Sequence, residues 1–262
     1  MKIGLALSGG GVLGAAHLGA LEQLEKNKIK IDYVCGCSVG AIIGLVYCSG
    51  GIEKLNQFVE EVKTIKFVEN KKLVFFPNPN GYFDQVRKIL RQFVPEKDFS
   101  ALKTKFSCVV TNIQTSELEV LDHGDPVDCV MASAAYPGVF PIQEIGDKLY
   151  IDGGVSRNLP SETVRKNADF VIGSSIYDIN ILNKTEVKYM NKFRVMKRTL
   201  DILEKQLSDM MIKECDFCFR PNVDSFSWYH FAKLNKIREI GRQYAKKHIG
   251  ELLKKLSGAT SR

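Results

Sequence analysis

The stretch "DYVCGCSVGAIIGLVYCSGG", Asp32–Gly51, decides the fold. Its front is a short apolar run of strand type, and Val39–Gly50 is apolar over a helical length. Between them, Gly36-Cys37-Ser38-Val39-Gly40 sets a serine with a glycine two residues to either side. A strand that turns sharply into a helix is cramped at those two positions and needs glycine there. The central serine is then held at the helix N-terminus, where developing negative charge is stabilised. A buried turn with Ser38 as an ordinary N-cap has the same letters. Val34–Ile52 also imitates a membrane span, with nineteen uncharged residues and a Gly36/Gly40/Gly44 repeat. Ser38, Ser49 and Gly50-Gly51 interrupt it, and the reading taken is a buried strand followed by a buried helix that Gly50-Gly51 stops.

The same grammar stands upstream. "KIGLAL", Lys2–Leu7, runs into Ser8-Gly9-Gly10-Gly11, after which Leu13, Ala16, Leu18, Leu21 and Leu24 recur at helical intervals. Strand, glycine turn and helix, repeated, describe a parallel sheet wrapped by helices. Gly9 to Gly14 also fits the dinucleotide pattern GxGxxG, which needs an acid at the end of the second strand. Asp32 stands at that strand's start instead, so a nucleotide-dependent oxidoreductase lacks its second half. The glycine loop keeps another use, since its backbone N–H groups at a helix N-terminus favour negative charge.

Downstream, residues 52–105 are charged and helical in period, broken by "FFPNPNG" at Phe75–Gly81, and read as an insertion over a site or as a plain surface connection. Lys105–Gly124 reads as a hairpin turning near Thr115-Ser116, Ala168–Ile176 as a buried strand, and the chain from Val187 on as helical. His230–Leu256 carries one apolar stripe opposite a basic face. Such a helix can lie on an anionic membrane; packing against its own domain is the commoner outcome. The expected fold is a three-layer α/β/α sandwich with a mostly parallel central sheet. A catalytic core is expected over 1–180, with the helical insertion at about 52–105 and a helical segment 181–262 on the same domain.

Composition is that of a globular protein: 262 residues, 45% apolar and 26% charged. The net charge of +7 suits an anionic surface, though a solvated face gives the same count, and no nucleic-acid partner is expected. Seven scattered cysteines show no disulfide framework, which points to a reducing compartment. Cys215-Asp-Phe-Cys218 has the spacing of half a zinc site, without a second pair or a nearby histidine. The start, "MKIGLALSGGG", is too short in its apolar part for a signal peptide. A cytoplasmic protein, at most peripheral at a membrane, is expected, with no metal and no organic cofactor.

A serine nucleophile needs a base. Of four histidines, His17 precedes the serine, His230 and His248 belong to the basic terminal helix, and His123 is the loop candidate. None stands where a strand-end triad histidine would. A carboxylate in a dry pocket with a raised pKa can serve directly. Asp152-Gly153-Gly154 follows the run "KLYI" and sets a carboxylate at a strand end, although Asp-Gly is also a common turn.

Gly9-Gly10-Gly11-Val12-Leu13-Gly14, Gly36-Cys37-Ser38-Val39-Gly40 and Asp152-Gly153-Gly154, in that order, resemble the patatin-like phospholipases. The resemblance extends to "TNIQTSE" after a strand and "ASAAYPGVFP" before the aspartate, covering Met1–Ile176, and "EIGRQYA" resembles the family's last helix. It implies a lipid acyl hydrolase with a Ser–Asp dyad. Ser38 would be the nucleophile and Asp152 the proton acceptor, with Gly9, Gly10 and Gly11 as oxyanion-hole donors and no histidine required. Many members carry Arg or Lys where this chain has Leu13. Hydrolysis of simple esters or lysophospholipids asks less of a basic residue there. A lipid-binding protein that keeps the fold without catalysis, and a thioesterase or acyltransferase with the same dyad, are the competing readings.

Overall fold

The computed structural model describes residues 1–63, 79–176, 181–227 and 231–260. Among these described residues, eight strands form one sheet: β1 (Ile3–Leu7), β2 (Tyr33–Gly36), β3 (Lys105–Asn112), β4 (Leu118–Leu121), β5 (Gln143–Ile145), β6 (Lys148–Asp152), β7 (Phe170–Ser174) and β8 (Phe217–Phe219). The helices are α1 (Ala15–Lys26), α2 (Val39–Lys63), α3 (Pro79–Phe93), α4 (Pro126–Ser133), α5 (Gly154–Arg157), α6 (Ser161–Arg165), α7 (Lys184–Lys188), α8 (Lys192–Ile212) and α9 (Leu234–Thr260). The pairs β1–β2, β1–β7, β2–β3 and β7–β8 are parallel, whereas β4, β5 and β6 join antiparallel.

The central parallel strands β1, β2 and β7 are apolar and buried along nearly all their length because both faces of the sheet are covered there. Alternate side chains enter two separate cores. Leu5, Leu7, Val34, Cys108 and Ile172 pack under the face that carries α1, α2 and α9. Ala6, Cys35, Val109 and Val171 pack on the other face with Val164 of α6 and Met211 of α8. This is the expected three-layer arrangement with a mostly parallel sheet.

Three local readings need correction. Gly51 does break the first apolar helix, with φ 77°, but the chain resumes helical geometry at once and α2 runs on to Lys63 as two segments across a kink. Part of the stretch read as a loop, from Pro79, is already the first turn of α3, a position where a missing N–H costs nothing; Phe75 lies outside the described residues. The segment after Val187 is not wholly helical, since Phe217–Phe219 adds β8 beside β7. Three residues are too few to show an alternating pattern.

Helix α9 lies along α1 at close range. A Cβ on Gly19 would come within 2.2 Å of the Arg242 backbone nitrogen, and one on Gly241 within 2.2 Å of the Ala16 carbonyl oxygen. Ile237, Ala245 and Leu252 are fully buried there, and Arg238 donates to Glu22 across the pair at 2.7 Å. The apolar stripe of α9 is therefore core, and its lysines face water.

Candidate active site

The loops after β1, β2 and β6 meet at the carboxyl ends of their strands, where open α/β sheets hold their ligands. Their convergence follows from β3. Cys108 pairs with Gly36 of β2 and Leu121 of β4, while Thr111 pairs with Ile151 of β6 and Leu118 of β4. Strands β2 and β6 therefore share one edge of β3, pointing at each other end to end. Gly36 and Asp152 pair with Cys108 and Val110, only two residues apart on β3. The sheet itself brings the serine turn to the aspartate.

Ser38 sits at φ 52°, a left-handed conformation that costs a non-glycine residue on the order of 1–3 kcal/mol. The surrounding backbone holds it there. A Cβ on Gly36 would approach the Gly40 carbonyl oxygen to 2.4 Å, and one on Gly40 would approach that of Leu7 to 2.5 Å. Only glycine lets β1, the turn and α2 come this close. The Ser38 N–H donates to the Ser133 hydroxyl at 2.9 Å, and that hydroxyl donates to the Val109 carbonyl at 2.7 Å. Buried Ser133, at the end of α4, thus pins the strained turn to β3.

Asp152 is buried, and burial raises its pKa from 3.8 to about 6. The rise is limited by three neighbours that favour the anion: the Ser38 hydroxyl, the Gly154 N–H and the Cys37 thiol. Gly154 N–H donates to Oδ1 at 2.8 Å, and the Cys37 Sγ–H approaches the same oxygen at 3.7 Å. Oδ2 closes no full hydrogen bond among the described residues.

The three glycines of the first loop are not equivalent. Gly9 donates its N–H to Asn158, whose side-chain oxygen lies at 3.0 Å, so this group is turned away from a ligand. Gly10 and Gly11, at φ 147° and 60°, make no such bond among the described residues and line the cavity beside Ser38. His17 lies behind the loop, fully buried. Its Nε2–H donates to the Ser8 carbonyl at 2.9 Å and its Nδ1 accepts from the Ser174 hydroxyl at 2.7 Å. Burial lowers its pKa to about 4, and it braces the loop as a neutral ring. His123 is exposed beside Asp122, and His248 stacks on Tyr244, 4.4 Å between centroids; His230 lies outside the described residues. Cys215 and Cys218 both lie against Gly173, and no cluster of three metal-ligating side chains occurs among the described residues.

A cavity of about 500 Å³ opens above Ser38 and Asp152. Its apolar wall includes Phe58 in the second segment of α2 and Tyr82 and Phe83 in α3, beside Leu13, Ile42 and Met131. Phe140 stacks on Phe83 at 4.8 Å, and Phe231 meets Tyr82 edge-on at 5.7 Å. The described part of residues 52–105 thus lines part of this cavity. Its opposite wall is polar and belongs to α8, with Arg194, Lys197 and Glu204.

The family model for Patatin-like phospholipase matches residues 5–165. The chain belongs to the patatin-like phospholipase family. It is 27% identical over 96% of its length to patatin-like phospholipase domain-containing protein ZK370.4 of Caenorhabditis elegans, covering 21% of that protein. It is 23% identical over 93% of its length to the lysophospholipase NTE1 of Debaryomyces hansenii, covering 18% of it. The chain thus spans about a fifth of these relatives. Among solved structures it resembles VipD from Legionella pneumophila, with a TM-score of 0.54, 16% identity, and coverage of 94% of this chain and 67% of that one. That likeness shows the fold.

Within this patatin-like frame, Gly14, Gly36, Gly40, Gly153 and Gly154 are sites of close backbone or side-chain approach. A Cβ on Gly153, for instance, would fall 2.2 Å from the Val109 carbonyl oxygen. Leu13 is buried and lines the cavity. Sequence reasoning missed Ser133, Asn158 and the α8 wall. The first two are single polar residues whose partners lie 95 and 149 residues away. The wall was signalled by "KFRVMKR", Lys192–Arg198, where the cations recur.

Proposed function

We propose that the chain is a serine acyl hydrolase acting on long-chain acyl esters, with lysophospholipids and simple esters as its substrate class. The observation that carries this reading is Ser38, held in a left-handed turn against a buried carboxyl whose pKa lies near 6. The Ser38 oxygen attacks the ester carbonyl while its proton passes to Asp152. The N–H groups of Gly10 and Gly11 face the resulting oxyanion, each such donor contributing about 3 kcal/mol in comparable sites. Asp152 returns the proton to the departing alkoxide, leaving an acyl-enzyme. Water then gives a proton to Asp152 as it attacks, and collapse of the second tetrahedral intermediate releases the fatty acid and restores Ser38. The aromatic wall suits the acyl chain. No step requires a metal or an organic cofactor, and seven cysteines without a disulfide support a reducing compartment.

Hydrolysis of p-nitrophenyl esters of graded chain length tests this. Wild type should turn over, with Ser38→Ala and Asp152→Asn each lower by three orders of magnitude or more, roughly the scale seen when one member of a catalytic unit is removed. Equal activity in all three would remove the dyad. Absence of activity on esters, thioesters and lysophospholipids alike would favour a lipid-binding role.

A further inference from the structure

Helix α8 is built the wrong way round for a helix that faces water. Its buried residues include Glu204 and Ser208, and Lys197 and Asp201 line the cavity. Its exposed face carries Val195 and Met196, then Ile202 and Leu203, then Met210. These positions recur every two turns and form one stripe. Upstream in the chain, Val187 of α7, Tyr189 and Ile181 are exposed as well. Eight of the thirteen exposed large apolar side chains among the described residues fall between Ile181 and Met210. Tyr189 is 73% exposed, Met196 66% and Met210 58%, which a monomer in water does not favour in one strip.

The charge of the same segment indicates the partner. From Ile181 to Met210 seven cations face four acids, but Lys197 pairs with Asp201 and Lys205 with Asp209, and Glu204 is buried, so the exposed Lys184, Lys188, Lys192 and Arg194 stand beside one exposed acid, Glu186. A second copy related by a two-fold axis would set this positive patch against itself. A sheet of anionic lipid complements it, with apolar side chains entering the acyl boundary and lysines at the headgroups. The cavity reaches this surface too, since Leu182, Met190 and Arg194 line it. Helix α8 is thus the partition between the cavity and the outside.

We propose that α7 and the outward face of α8 form a docking surface for an anionic lipid bilayer, which seats the cavity opening at the headgroup layer. The proposal stands on the surface itself, so it is tested with catalytically silent Ser38→Ala protein and stands or falls apart from the dyad.

Co-sedimentation with vesicles of phosphatidylcholine alone, or mixed with phosphatidylglycerol, reads it. Binding to mixed vesicles should exceed binding to neutral ones by about tenfold and fall with salt, as expected for basic side chains at an anionic surface. Met196→Ser/Leu203→Ser should lower binding to mixed vesicles by about tenfold or more, since two apolar anchors are removed. Lys184→Glu/Lys188→Glu/Lys192→Glu should do the same. The matched change on α9, Lys246→Glu/Lys247→Glu/Lys254→Glu, should leave binding within about twofold. A single reporter, Met196→Trp in a Trp228→Phe background, should shift to the blue on mixed vesicles and be quenched by brominated lipid. Unchanged binding by the Met196/Leu203 variant, a larger loss from the α9 variant, or a reporter that stays in water would overturn the proposal. So would a concentration-dependent dimer that the Met196/Leu203 variant dissolves while wild type ignores vesicles, which would assign the face to a second copy.

Discussion

Helices α8 and α9 are both long, both rich in Lys, Arg, Leu and Ile, and both striped at helical period, yet they point their stripes in opposite directions. Helix α9 buries Ile237, Ala245 and Leu252 against α1 and turns Lys246 and Lys247 to water. Helix α8 buries Glu204 and Ser208 and leaves Met196, Leu203 and Met210 outside. Two helices of one alphabet thus do different work: α9 closes the core, and α8 roofs a cavity lined by Ser38 and Asp152. A polar inner face is tolerable on α8 because it lines a cavity rather than a close-packed interior.

Substitutions that exchange the two faces should expose this difference. The largest effect belongs to α9: Ile237→Ala should cost about 2–5 kcal/mol, read by urea unfolding, because a fully buried side chain leaves a hole. A loss below about 1 kcal/mol would mean that the α1–α9 seam is loose. Next comes the floor beneath α8. A carboxyl whose pKa is higher folded than unfolded contributes stability below about pH 4 and loses it as pH rises through about 6. Asp152→Asn should therefore be more stable than wild type at pH 7, by roughly 3 kcal/mol, with the gain fading toward pH 4. His17 has the opposite sign: its pKa is about 4 when folded, so its contribution is lost as pH falls from about 6.5 to 4. The two slopes oppose each other in wild type, and Asp152→Asn should steepen the acid limb. An unchanged slope would place the Asp152 carboxyl in wetter surroundings than its burial indicates.

Smaller effects follow. Gly241→Ala should cost about 1–3 kcal/mol, since its methyl group meets the Ala16 backbone rather than a side chain that can yield. Leu203→Ala on α8 should change stability in aqueous buffer by less than about 0.5 kcal/mol, although it removes as many carbons as Ile237→Ala. If Leu203→Ala cost as much as Ile237→Ala, the outward stripe of α8 would have to be packed against something in solution.

Much of the site was legible because its constraints are local. The glycines flanking Ser38 are dictated by contacts with Gly40 and Leu7, a few residues away in the chain or on the adjoining strand, and such sterics leave a fixed spacing in the sequence. Asp152 was legible as a carboxylate at a strand end. Its meeting with Ser38 depends on β2 and β6 sharing one edge of β3, which no short pattern encodes. The unequal roles of Gly9, Gly10 and Gly11 depend on Asn158, far along the chain. Periodicity showed the stripe of α9, and the commoner outcome, packing on its own domain, is the one observed; the exposed stripe of α8 was not read from the sequence. The Gly50-Gly51 stop was half right, because glycine can break a helix without ending the run of helical sequence.

The central claim, that Asp152 alone activates Ser38, is tested most directly by the pH dependence of covalent labelling of Ser38 with a fluorophosphonate. The wild-type rate should rise through a single ionisation near pH 6 and level off above it, because Asp152 accepts the proton only as the anion, while Asp152→Asn should label at least a hundredfold more slowly across the range. Wild-type labelling that is flat from pH 4.5 to 8, or an Asp152→Asn variant that labels at the wild-type rate, would contradict the account.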